Sequence, residues 1–514
     1  MDLKRIWIIS AALLLLCASS ALAGNSAYKV SPRIPLDSWV YNALDKVTVL
    51  CFVESGLAGM RPLTRLEAAR LVAAASLNAS LYDVPPKAKV VVRRLKSEFH
   101  DELAYLVAEP EADVSFPAKL LRSAAVRYTY QDGKPSGSPG TDASQFALTY
   151  NNSGREYDNH NNGEFSLTGD VLLFDQLLLA WQPLLSQREG DTKLTTLAAI
   201  AAVSYAGIEL SVGRQELWWG PSRHGSLILS NNAKPLDMIR LTNQSPLQLP
   251  WIFKHLGPFR FDTFVSRLGE DRVVEKPYFG GLRLNFKPSQ YLELGATRTV
   301  MFGGKGQPNI DFKDFLTILG GENLTNNDTS NSIAGVDATV IFPLLWGMQI
   351  YGELYGEDEA NSLPSKNSFL TGLFLPQIEP SGTFSLRVEY ADTSRLGGGS
   401  PVFYRHGTYK SGYIYEDRIM GHHVGSDSTD WTVELGAIWS ERFNTTLVLD
   451  YQRRGEALDI QEKHYQASLA AEWWLRPEVL VSARYAIDRV KNFDYVDDDD
   501  ETFQMATLGL EYQW

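Results

Sequence analysis

Between Gly213 and Arg240 the chain sets two adjacent indoles, Trp218 and Trp219, close to Arg223, His224, Asn231, Asn232 and Arg240. Flat rings that stack on the C–H face of a pyranose, with guanidinium, imidazole and amide groups for its hydroxyls, are what carbohydrate recognition needs. A second stretch, 404–427, gathers Tyr409, Tyr413, Tyr415 and Arg418 around Glu416 and Asp417. Loop-building accounts for much of the same composition. Gly213, Gly220 and Gly225 suit backbone geometry, Asn231-Asn232 suits a turn, and either Trp suits an interfacial girdle. Loop-shaping residues outnumber contact residues, so architecture is the first expectation here and direct sugar contact the sharper one.

Other chemistries find less support. Ser222 and His224 are near each other in sequence, but there is no Gly-x-Ser-x-Gly elbow and no zinc-protease helix. Walker and dinucleotide loops are also missing, so no catalytic set and no cofactor are expected. His422-His423 with Asp427 raises the question of a metal. Adjacent side chains on an extended chain point to opposite sides, so no metal site is expected either. A formal net charge of −13 argues against nucleic acid as partner. The run Asp497–Asp500 with Glu501 reads as a solvated loop, with divalent-cation bridging to acidic lipid or polymer as the sharper alternative.

The elements that must carry these loops are strands. Near the carboxyl terminus Ala506, Leu508, Leu510, Tyr512 and Trp514 alternate with Thr507, Gly509, Glu511 and Gln513. Phe384, Leu386, Val388 and Tyr390 alternate with Thr383, Ser385, Arg387 and Glu389 in the same way. Leu282, Leu284 and Phe286 alternate with Arg283, Asn285 and Lys287. Period two, charges on one face and aromatic ends on the other fit a transmembrane β-barrel with a polar lumen. The terminal aromatic resembles the signal read by the barrel-insertion machinery. Membrane strands of about 10 residues plus their connections give roughly 16–18 strands over residues 119–514. The expected fold is therefore mainly β, a large antiparallel transmembrane barrel. The apolar stretch Leu194–Val212 is expected to break near Tyr205–Gly207 into two strands rather than to span as a helix.

The amino-terminal part differs. Lys4 and Arg5, an apolar run to Leu16 and Ala21-Leu22-Ala23 read as a signal peptide over 1–23. The exported chain then keeps one cysteine, Cys51, and no internal disulfide. Residues 24–118 read as a small periplasmic helical bundle, divided from the barrel near Phe116. Trp39, Val40, Ala43, Leu44 and Val47 form one stripe, and Thr64 and Glu67 have capping-box spacing. Pro85-Pro86 opens a further helix carrying Val91, Leu95, Phe99, Leu103 and Leu106. Trp39 with Thr64–Ala69 is similar to a single S-layer homology repeat. Such repeats come in threes and one is found, so a capped helix is the preferred reading.

Gly213-Arg-Gln, Trp218-Trp-Gly-Pro221 and Leu229-Ser-Asn-Asn-Ala233 closely resemble the capsule assembly Wzi family, as does Gly421-His-His-Val-Gly-Ser-Asp427. The resemblance covers essentially the whole exported chain. It implies an outer-membrane barrel with a helical bundle at its periplasmic end and a lumen closed by inward loops. It also implies a surface lectin that retains capsular or other exopolysaccharide. The expected partners are that polymer, outer-membrane lipid and lipopolysaccharide, and the insertion machinery. Ser222 stands where the family often has Gly. The rivals are a porin or polysaccharide channel and, further off, a barrel hydrolase.

Overall fold

The computed structural model describes residues 30–54, 56–107, 117–174, 176–308, 317, 330–360, 363–394 and 401–514. The leader expected over 1–23 and the boundary near Phe116 lie outside the described residues. Among the described residues, eighteen antiparallel strands close a barrel. The ring shuts where the first strand, Ser123–Asp132, lies between His160–Leu173 and the last strand, Glu501–Gln513. Closure leaves no unpaired strand edge, as a lipid environment demands.

The alternation sorts as the physical argument requires. Leu508, Leu510, Tyr512 and Trp514 are exposed on the outside, as are Trp431 and Val433 on the strand Ser428–Ile438. Their neighbours turn inward: Arg283, Asn285 and Lys287 are buried, as are Arg387 and Glu389. Arg283 makes a two-pronged contact with Asp337, Nη1 to Oδ2 at 2.7 Å and Nη2 to Oδ1 at 2.9 Å. Such charge-assisted forks order a polar interior. Asp191–Tyr205 and Ile208–Gln215 form a hairpin whose turn, Ala206-Gly207, has positive φ at both positions. The apolar 194–212 stretch is thus two strands, as its sequence suggests.

The amino-terminal part packs against one mouth of the barrel. Its helices are α1 (Val40–Leu50), α2 (Arg65–Leu81), α3 (Pro86–Glu98) and α4 (His100–Val107). Thr64 caps α2, its side chain accepting from Glu67 N at 3.2 Å. Phe99 is where the sequence expectation fails. One helix was expected across it, but the backbone breaks there (φ −106°, ψ 25°). The Phe99 ring is buried beneath the Arg65 guanidinium, 4.7 Å away, and Arg65 in turn binds Glu98 and Glu102. Tertiary anchoring on both sides of the break outweighs helical continuity.

A barrel of this size ordinarily leaves an aqueous channel. Here the chain between α1 and α2 enters the lumen. Ala58 N and Gly59 N both donate to the Glu293 carboxylate, at 3.0 and 2.9 Å. Met60–Arg61 then forms a two-stranded antiparallel ladder with Trp218–Trp219, a loop segment from the opposite mouth.

Candidate functional site

The loop after strand Ile208–Gln215 folds into the barrel because wall carboxylates hold its backbone. Glu353 accepts from Leu227 N at 2.8 Å and from the Ser222 hydroxyl at 2.6 Å. Glu389 accepts from Arg223 N and His224 N at 2.8 and 2.9 Å. Asp262 takes the indole N–H of Trp219 at 3.1 Å and a fork from Arg240, Nε at 2.7 Å and Nη2 at 2.6 Å. Trp218 joins the apolar core of the helical bundle with Trp39 and Trp474. Both indoles are buried, and neither face is open to a polymer.

The Arg223 guanidinium reaches Asn42 Oδ1 at 2.8 Å and Asp45 at 3.5 Å. Asp45, on α1, also meets Arg61 and Arg387, each at 3.2 Å. Burial alone would raise the Asp45 carboxyl, but the three guanidiniums hold it below its usual range. His224 Nε2 lies 3.2 Å from Glu434. Ser222 therefore faces Glu353 and His224 faces Glu434, so the two do not form a nucleophile–base pair.

Two more loops lock onto the first at the mouth away from the helices. Ser153 N donates to Asn231 O at 2.7 Å, and Ser230 N donates to Met420 O at 2.9 Å. The Asn232 amide donates to Ile419 O at 3.0 Å. Arg418 donates to Thr149 O and Asn152 Oδ1, both at 2.9 Å, and to Arg155 O at 2.8 Å. Tyr409 and Tyr413 are buried, their hydroxyls donating to Gly303 O at 3.0 Å and Thr299 Oγ1 at 3.2 Å. Tyr415 sits on a small hairpin, Ile414–Tyr415 against Arg418–Ile419, whose turn residues Glu416 and Asp417 are exposed with φ of 44° and 63°. Positive φ at both central positions is the two-residue turn that suits a hairpin's twist. Lys234 ties this tip down, pairing with Glu416 and, at 2.6 Å, with Glu156.

The structure thus brings every sequence candidate into one closing assembly. Most serve it as joints, and the Tyr415 hairpin reaches an exposed tip. The carboxylates Asp262, Glu353 and Glu389, which fix the loop, were missed. Each occupies an inward position of an alternating strand, a signal that marks a polar face without naming a partner. His422 and His423 do not point to opposite sides, as an extended chain would hold them. The chain at 421–427 is not extended, for Gly425 N turns back to His422 O at 3.1 Å. The two imidazoles lie side by side, ring centroids 4.6 Å apart. Burial keeps both neutral, with His423 pushed down to about 3. Asp427 points elsewhere, accepting from Ala457 N at 3.1 Å, and Asp430 takes its place beside the rings.

On the helical side a polar cavity of about 270 Å³ remains between bundle and wall, lined by Arg33, Asp37, Arg122, Arg127 and Arg155 among others. Asp37 pairs there with Arg155 at 2.9 Å.

The architecture has known counterparts. The structure of Wzi from Escherichia coli, described as an outer-membrane protein involved in group 1 capsule assembly and a carbohydrate-binding β-barrel, superposes with a TM-score of 0.72. It is 21% identical, and the match covers 94% of this chain and 100% of that one. An uncharacterized 55.8 kDa protein from the cps region of Klebsiella pneumoniae is 31% identical over 256 residues. That match takes in 48% of this chain and 47%, about half, of the relative's length. The sequence profile of capsule assembly protein Wzi matches residues 131–505, from the first barrel strand to the last. With the closed barrel and its inward loops described above, the chain belongs to the capsule assembly protein Wzi family.

Proposed function

We propose that this protein is a non-enzymatic, lectin-like component of the outer membrane that holds capsular or related exopolysaccharide on the cell surface. In this reading residues 1–23 direct export, the helical bundle faces the periplasm, and the interlocked loops face outward among lipopolysaccharide. The terminal Trp514 marks the chain for the insertion machinery. The observation that carries the reading is the junction of Trp218–Trp219 with Met60–Arg61 inside the lumen. A passage crossed by a backbone ladder suits retention of a polymer better than its transport. Recognition is assigned to the outer surface of the joined loops, where the exposed Glu416-Asp417 tip, backed by the buried Tyr415 ring, offers acceptors for sugar hydroxyls. Trp218, Trp219, Arg223, His224, Asn231, Asn232, Arg240, Tyr409, Tyr413 and Arg418 support that surface from beneath.

A clean deletion tests the proposal by separating cell-bound from shed polymer. Retention expects shed polymer to rise while total secretion stays constant. Bound polymer at the parental level would sink the proposal. A channel would instead show a conducting pore with a normal capsule, and a hydrolase would lose turnover on replacing one Ser or His while still binding.

A further inference from the structure

Beneath the 216–235 loop two imidazoles and a carboxylate converge on one point. His422 and His423 both present Nε2 to Asp430 Oδ2, at 4.0 and 3.0 Å. One donor atom from each of the three residues lies within 4.8 Å of the other two. All three side chains are at least nine-tenths buried. Gly225 packs directly on the His422 ring, where an added Cβ would meet Cδ2 at 2.5 Å, so the site is closed by a residue without a side chain.

The charge balance is unusual. Asp430 Oδ2 has no hydrogen-bond partner, because the His423 ring N–H is not directed at it despite the short distance. Asp450 contributes another unpaired oxygen, Oδ1, and the Thr432 hydroxyl lies 3.3 Å from each of these aspartates. Among the described residues neither aspartate is ion-paired with Lys or Arg. A buried carboxylate oxygen without a partner is costly unless a hydrogen-bond donor or a cation joins it.

We propose that His422, His423 and Asp430 bind a divalent transition-metal ion of the Zn2+ class. Two imidazole nitrogens and one carboxylate oxygen are the donor set such an ion prefers, with metal–donor distances of about 2.0–2.2 Å. Donors around a tetrahedral ion are then roughly 3.3 Å apart, a modest contraction of the observed cluster. Gln452, whose amide nitrogen is 3.4 Å from His423 Nε2, neighbours the fourth position. Coordination through Nε2 requires the proton on Nδ1, so the long 3.3 Å contact from Val424 N to His422 Nδ1 is given up on loading. The ion staples loop 421–427 to strand Ser428–Ile438 and so fixes the platform from below. This assignment is independent of which polymer the protein holds.

The test is to fold the full chain into detergent with Co2+ and, separately, without metal. Wild type should retain one Co2+ per chain after gel filtration, with the visible absorption of a four-coordinate N/O site and a raised melting temperature. Asp430→Asn should fold to the same heat-modifiable barrel and bind Co2+ more than ~100-fold more weakly, beyond the loss usual for an outer-shell partner. Wild type that binds no Co2+, or no more than Asp430→Asn does, would overturn the proposal and leave a hydrogen-bonded cluster. So would equal affinity for Ca2+, which takes oxygen ligands. Should Asp430→Asn fail to fold, the wild-type comparison with and without Co2+ decides alone.

Discussion

The amide of Gly220 donates to the carbonyl of Gly59 at 3.0 Å, in the middle of the barrel. One residue belongs to a loop from the far mouth and the other to the chain joining α1 and α2. The closure is therefore a shared ladder, and each half depends on the other for its backbone partners.

Removing residues 37–107 takes away one side of that ladder. The deletion is expected to raise single-channel conductance in planar bilayers above the closed wild type. Unchanged conductance would mean that the loops alone seal the lumen.

Asp262 binds Trp219 and Arg240 together, with Arg240 and Asp262 both out of solvent. Asp262→Ala leaves a buried guanidinium unpaired, a loss of about 3–5 kcal/mol. A lowered denaturation midpoint is the expected outcome. A midpoint within error of wild type would show that water reaches Arg240.

Lys46 lies outside the strands, on α1, and donates to Gly382 O at 2.6 Å. Burial lowers its ammonium to about 8, below its ordinary 10.5. Below pH 8 the amine is charged in both folded and unfolded chains, and the folded state bears the desolvation. Between these values the folded state sheds its proton first, so stability rises with pH, by about 3 kcal/mol at most. The bundle's melting temperature should increase from pH 7.5 to pH 10, in a window bounded by those two values. Lys46→Met should abolish the increase, and a rise that persists in Lys46→Met would assign it to another group.

Tyr415→Ala and Glu416→Ala are expected to reduce retained polymer at unchanged surface abundance, whereas Tyr413→Phe, which loses one internal hydrogen bond, should retain it. Trp218→Ala or Trp219→Ala should weaken retention without reducing barrel assembly, by loosening the loop beneath the surface. Equal retention in all four at equal abundance would remove these segments from the binding account.

The barrel was legible because period two is a local property: Leu282, Leu284 and Phe286 against Arg283, Asn285 and Lys287 need no knowledge of their neighbours. The Thr64 cap was legible for the same reason. What escaped is long-range. Nothing near Glu353 in sequence announces that it receives Leu227 N, and nothing near Phe99 announces Arg65 above its ring. The side-by-side imidazoles of His422 and His423 escaped because their geometry depends on a turn ending at Gly425. The indoles of the Trp-Trp motif were legible as special, but their role as buried joints depends on Asp262 and the bundle core.

The seam between Ser123–Asp132 and Glu501–Gln513 joins the two ends of the wall. Met60–Arg61 already lies inside the cylinder that this seam completes. During biogenesis the segment between α1 and α2 must therefore either be seated before the wall zips shut or enter the finished cylinder through its mouth, so stopper and staves are coupled steps of one assembly.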